Sequence, residues 1–66
     1  MNLCVNGQSQ DHPDGMTVAN LLAALQKKPA FCAVEVNREL SSRSQHETVV
    51  LGEGDVVEIV TLVGGG

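Results

Sequence analysis

Aromatic side chains are nearly missing from this chain, which has no Trp, no Tyr and a single Phe among 66 residues. A core must therefore be assembled from Val, Leu, Ile, Ala and Met, and there is no aromatic platform on which nucleobases could stack. Positive charge is also scarce: four Lys and Arg stand against eight Asp and Glu, for a formal net charge of −4. A chain without a basic stripe is poorly suited to nucleic-acid backbones or anionic membranes, and protein partners with basic surfaces are expected instead. No apolar run approaches the length that crosses a bilayer, and Met1 leads into a strand pattern rather than a charged and then apolar leader, so a cytoplasmic protein is expected. Cys4 and Cys32 lie far apart and form no C-x-x-C pair. Together with His12 and His46 they match no zinc-ligand spacing, so no metal site is expected and the histidines are read as solvated.

A chain this short buries only about 60% of the surface that its unfolded form exposes, which leaves room for one small core and no separate catalytic domain. Asp11, Asp14, Glu53 and Asp55 fall in turn-like stretches, where carboxylates cap backbone N–H groups. Arg38, Arg43 and Glu35 read as solvent-facing charges. Nowhere does the sequence assemble a base, an orienting group and a pocket, so neither an enzyme nor a bound cofactor is expected.

The first hairpin is written plainly. Leu3 and Val5 alternate with polar residues, Asn6-Gly7 suits the positive φ angles of a two-residue turn, and Gln8 to Asp11 returns as a polar edge strand. His12-Pro13-Asp14-Gly15 breaks the ladder. Thr17 can then cap a helix in which Val18, Leu21, Leu22 and Leu25 form one apolar stripe; Lys27-Lys28 would sit at its negative end and Pro29 would stop it.

Phe31 to Asn37 reads as a third strand with Cys32, Val34 and Val36 on one face, and Asn37-Arg38 as a tight turn into Glu39-Leu40. Ser41 to Thr48 is polar and irregular, with space for a short helical turn, and Val49-Val50-Leu51 should tuck under the sheet. After the turn signal of Gly52 to Asp55 comes Val56 to Val63, apolar on both faces and therefore central in its sheet. A Cys4–Cys32 bridge would need Cα atoms within about 7 Å. One face of this last strand can meet the helix, and the other stays partly apolar toward solvent, with Val60, Leu62 and Glu58 as candidate docking residues. Residues 1–63 are read as the globular unit and Gly64, Gly65 and Gly66 as a thin tail without side chains to pack.

This order of elements resembles the ubiquitin-like β-grasp: α+β, a mixed sheet of four to five strands with one main helix packed on one face. More specifically, the chain resembles the ThiS sulfur carriers of thiamine (thiazole) biosynthesis. The matching pieces are Val5-Asn6-Gly7, Thr17-Val18 with Leu21-Leu22, and Ala33-Val34-Glu35-Val36-Asn37. Glu53-Gly54-Asp55, Val57-Glu58-Ile59-Val60 and Val63-Gly64-Gly65-Gly66 follow in the family's order. One departure is Ser41-Ser42 before Arg43, where such chains often carry an apolar residue and Pro; it bears on the shape of the loop after the fourth strand.

The resemblance implies the first and last strands paired in parallel at the centre of the sheet. It also implies that an E1-like adenylyltransferase (ThiF-type) uses ATP to adenylate Gly66. A sulfur relay fed by a cysteine desulfurase then converts Gly66 to a thiocarboxylate, which a thiazole synthase (ThiG-type) accepts. Carriers serving other pathways, such as molybdopterin synthesis, and ubiquitin-like modifiers joined to lysines share the same outline and stay open at this point.

Overall fold

Two hairpins joined by one helix and closed by a last central strand make up the computed structural model, which describes residues 1–62. The strands are β1 (Asn2–Val5), β2 (Gln8–Asp11), β3 (Cys32–Val36), β4 (Glu39–Ser41) and β5 (Val56–Thr61); the helix is α1 (Val18–Ala24). They form one five-stranded sheet in the order β2-β1-β5-β3-β4, with β1 and β5 parallel and the other pairs antiparallel. A parallel pair needs a long crossover, and α1 with the second hairpin supplies it. The α+β sheet, its central last strand and its single covering helix match expectation. Val63 and the tail Gly64, Gly65 and Gly66 lie outside the described residues.

The core forms where the helix stripe meets the inward faces of the strands. Val18, Leu21 and Leu22 of α1 pack with Leu3 and Val5 of β1, Val34 of β3, and Val57 and Ile59 of β5. Six of these eight are fully buried. Leu51 completes the cluster from the loop before β5. Cys4 and Cys32 are free thiols on strands that β5 separates.

The helix begins as its sequence suggests. Thr17 accepts the Asn20 N–H at 3.1 Å through Oγ1, and the Asn20 side chain accepts the Thr17 N–H at 3.0 Å, a reciprocal capping box. It ends sooner than the stripe implies. Gln26 turns into the left-handed region at φ 59°, its N–H donates to the Ala23 carbonyl and the Lys27 N–H donates to that of Leu22. That is a Schellman termination, so Lys27 and Lys28 lie beyond the last turn rather than at the helix's negative end, and Pro29 opens a 3-10 turn (Pro29–Phe31) instead of stopping α1.

Asparagines at the two hairpin turns hold β5 in place. Both sit at positive φ, 50° at Asn6 and 51° at Asn37, which their short polar side chains tolerate. The Ile59 N–H donates to Asn6 Oδ1 at 2.7 Å and Asn6 Nδ2 donates to the Ile59 carbonyl at 3.1 Å. On the other side, the Val56 N–H donates to Asn37 Oδ1 at 2.9 Å and Asn37 Nδ2 donates to Asp55 at 3.0 Å. Side-chain amides thus extend the ladders where the neighbouring strands have already turned away.

Two expectations for the 41–51 segment need correction. His46 is buried rather than solvated: its Nε2 lies 3.1 Å from the Ser41 carbonyl oxygen, and its own carbonyl accepts the Ala19 N–H at 2.9 Å. The ring ties the polar loop back to the end of β4 and the backbone carbonyl holds it to the start of α1, contacts that polarity alone does not announce. Val50 faces solvent, because Thr17 and Val50 form an isolated antiparallel bridge that turns its side chain outward while Leu51 turns in. At Ser41-Ser42, Ser41 pairs with Val34 as the last residue of β4, its buried hydroxyl making no hydrogen bond among the described residues, and Ser42 leads into a 3-10 turn over Arg43–Gln45.

Candidate functional site

Alternation along β5 sends Val57 and Ile59 into the core and leaves Val56, Glu58 and Val60 on the uncovered face of the sheet. The register adds neighbours to them. Ala33 lies opposite Val60 and Glu35 opposite Glu58 on β3, Leu40 of β4 lies opposite Glu35, and Cys4 of β1 lies beside Val56. The Leu62 N–H donates to the Phe31 carbonyl at 2.7 Å, so these two residues meet at the end of β5.

The sequence-derived set of Val60, Leu62 and Glu58 is therefore brought together on one open surface. Val60 is 57% exposed and Leu62 53%, too much apolar area to be part of this domain's own core. Phe31, Leu40, Val56 and Glu35 belong to the same surface and were not singled out from sequence. For Glu35 and Leu40 the signal was there in the alternation of β3 and β4, and for Val56 in that of β5, but it becomes legible as one surface only once β5 is placed beside β3.

Charge is distributed unevenly over the molecule. Among the described residues the ion pairs are those of the Met1 amino group, 3.6 Å from Asp11 and 3.2 Å from Asp14. The hydrogen bond that it donates to Asp14 raises the pKa of that amino group above its ordinary value, burial partly opposes the shift, and the charges of Asp14, Asp11 and Glu53 add to it. Asp55 does the turn chemistry expected of it, accepting the Gly52 N–H, whereas Glu53 reaches out of its turn to accept the N–H of Asn2 at the start of β1. No cluster of His, Cys, Asp or Glu among the described residues is placed to hold a metal ion. Nor is any described helix long and apolar enough to cross a membrane.

A cleft of about 330 Å³ opens on the outer face, lined by Asn37, Arg38, Val56 and Glu58. A second, of about 380 Å³, lies by the β4 edge between Leu40, Ser41, Gln45 and Val50. Neither brings a nucleophile and a base together. What the arrangement offers is an open, partly apolar sheet face. Gly66, the proposed reactive terminus, and the tail residues Gly64 and Gly65 lie outside the described residues. Because Leu62 is anchored to Phe31, an extended tail of four residues can carry residue 66 at most about 14 Å from that point.

Comparison with known proteins agrees with this outline. The profile of the ThiS family matches residues 3–66. The sulfur carrier protein ThiS of Bacillus subtilis is 40% identical over 53 residues, 80% of each chain. Thiazole synthases of Paramagnetospirillum magneticum and Magnetococcus marinus are each 38% identical over 66 residues, which is all of this chain and 20% of theirs. The chain thus spans about a fifth of the length of those two relatives. Among solved structures, the crystal structure of the thiamine biosynthesis protein ThiS from Geobacter metallireducens superposes with a TM-score of 0.84 at 35% identity, covering both chains in full. A solution structure of a thiamine biosynthesis protein from the same organism gives 0.80, covering all of this chain and 88% of that one. With the β-grasp order of its strands and a family match over nearly its whole length, the chain belongs to the ThiS family.

Proposed function

We propose that this chain is a sulfur carrier of thiamine biosynthesis, a protein co-substrate that works in the cytoplasm and binds no cofactor of its own. The observation that carries the reading is the ThiS match running through the glycines to residue 66, joined to the likeness to a named sulfur carrier. Gly66 supplies the reactive carboxylate, and Gly64 and Gly65 supply a lead without side chains that can enter a narrow active site. Val60, Leu62 and Glu58 dock the globular face outside it.

In the first step an oxygen of the Gly66 carboxylate attacks the α-phosphorus of ATP in an E1-like adenylyltransferase, and pyrophosphate leaves. The mixed anhydride activates the carbonyl carbon, because AMP is a far better leaving group than oxide. A persulfide sulfur, delivered by a relay from a cysteine desulfurase, then forms the C–S bond as the C–O bond to AMP breaks, and a thiol of the relay cleaves the S–S bond of the resulting acyl disulfide, leaving a thiocarboxylate on the carrier and a disulfide on the relay. A thiazole synthase is the acceptor. Support for that partner comes from the two thiazole synthases in which a stretch similar to this chain occupies part of the same polypeptide. A covalent link of that kind raises the effective concentration of carrier at synthase.

The test is to extend the chain by one bulky residue after Gly66. Adenylation should be lost while the thermal midpoint stays unchanged, since Gly66 has no side chain to contribute to a core. Adenylation that survives the extension overturns the proposal.

A further inference from the structure

The uncovered sheet face holds a pair of charges that the fold itself does not use. Glu35 and Glu58 are direct partners in the β3–β5 register. The backbone bonds from Leu62 to Phe31 and from Asn37 to Val56 fix which pairs are hydrogen-bonded, and the 35/58 pair falls in that set, with Cα atoms roughly 5.5 Å apart. Both side chains are exposed on the outer face. Like charges placed directly opposite each other destabilise a sheet, and none of the hydrogen bonds or ion pairs among the described residues engages either carboxylate.

We propose that Glu35 and Glu58 together form the receptor for an arginine that protrudes from an otherwise apolar surface of the adenylating enzyme. This proposal rests on the carrier reading given above and names the chemistry of its docking partner. Val56, Val60 and Leu40 surround the two carboxylates with exposed apolar area, and Ala33 beside Val60 is small enough to leave approach open. The outer-face cleft along Glu58, floored by Val56, gives the aliphatic stem of an incoming side chain a place to lie. A planar guanidinium can then donate to both carboxylates at once, which a point-like ammonium does less well.

Charge decides between occupants. A purely apolar partner would bury two repelling carboxylates without compensation, and a second copy of this chain would bring two more of the same sign. Arg38 rims the same cleft and forms no ion pair with Glu58. Its positive charge at the rim works against an incoming arginine.

The experiment is a titration of the full chain against the adenylyltransferase from the same genome, read as ATP–pyrophosphate exchange over a range of salt. Glu35→Gln and Glu58→Gln should each raise the half-saturating carrier concentration about fivefold and flatten its salt dependence. Both should also raise the thermal midpoint, by about 2 °C, because the repulsion is gone. Glu47→Gln removes the same unit of charge from the exposed loop after β4 and should leave half-saturation at the wild-type value, whereas Arg38→Gln should lower it. If Glu35→Gln and Glu58→Gln titrate like Glu47→Gln, the receptor does not exist. If the wild-type chain supports no exchange at all, the carrier reading fails first and this proposal falls with it.

Discussion

Replacing Asn6 tests whether the turn asparagines, and not only strand pairing, hold the last strand in the middle of the sheet. Asn6 makes two partly buried hydrogen bonds to Ile59, 53 residues away in sequence, at 2.7 and 3.1 Å. Alanine removes both, at about 1 kcal/mol each, and being forced to φ 50° costs it about 1 kcal/mol more than asparagine. Together these amount to about 3 kcal/mol, and somewhat less where water reaches the freed groups, because Asn6 is itself exposed. A domain of this size has only roughly 3–10 kcal/mol of stability, so the loss is a large share of it.

Glycine at position 6 relieves the backbone strain but not the lost bonds and should cost about 2 kcal/mol, with part of that arising from its freer unfolded chain. Aspartate keeps the acceptor for the Ile59 N–H and loses the donor. The expected order of stability is therefore wild type, then Asn6→Asp and Asn6→Gly, then Asn6→Ala. Without Trp or Tyr, tryptophan fluorescence is not an option, and urea unfolding followed by far-ultraviolet circular dichroism is the assay. At a slope of about 1 kcal/mol per molar, the Asn6→Ala midpoint should fall by about 3 M. An Asn6→Ala variant within about 0.5 kcal/mol of wild type, or an Asn6→Gly variant more stable than wild type, would refute the reasoning.

Three further perturbations probe other parts of the fold. Thr17→Ala removes the Oγ1 acceptor of the capping box and should cost about 1 kcal/mol in the same urea titration. Gln26→Gly places the preferred residue at the left-handed helix terminus and should stabilise by about 0.5–1 kcal/mol, a gain that vanishes if Gln26 is not left-handed in solution. The amino group of Met1 has a pKa raised in the folded state, chiefly by Asp14, so its stabilisation is fully present below its ordinary value of about 8.0 and is lost as pH rises through the folded-state value. The thermal midpoint of the wild type should thus fall more between neutral and alkaline pH than that of Asp14→Asn, and by less in high salt; parallel profiles would show that the contact does not persist.

Much of this fold was legible because its elements carry local signals. The Asn6-Gly7 turn announces itself through residues that tolerate positive φ, as does Asn37 in the second turn though not Arg38 at φ 71°, and the Val18, Leu21, Leu22 stripe has helical spacing. Val56 to Val63 reads as central because both of its faces are largely apolar, and the strand that forms there is Val56–Thr61. Other features depend on contacts distant in sequence and left no local trace. His46 is buried only because the loop that carries it folds back under β4, and α1 stops after seven residues at a glutamine, which is not a usual left-handed residue. The candidate site was half visible: Val60, Leu62 and Glu58 follow from the alternation of one strand. Their neighbours Glu35, Leu40 and Phe31 follow from the register between strands, which tertiary pairing decides.

The central claim is that this scaffold exists to present the carboxylate of Gly66 to partner enzymes, and intact-mass spectrometry tests it most directly. The chain is incubated with its adenylyltransferase, ATP and a sulfur donor, and then weighed whole. The account predicts a single product heavier by the exchange of one oxygen for sulfur, located on residue 66 by fragmentation. An unchanged mass, or a ladder of heavier adducts joined through lysines, would contradict it.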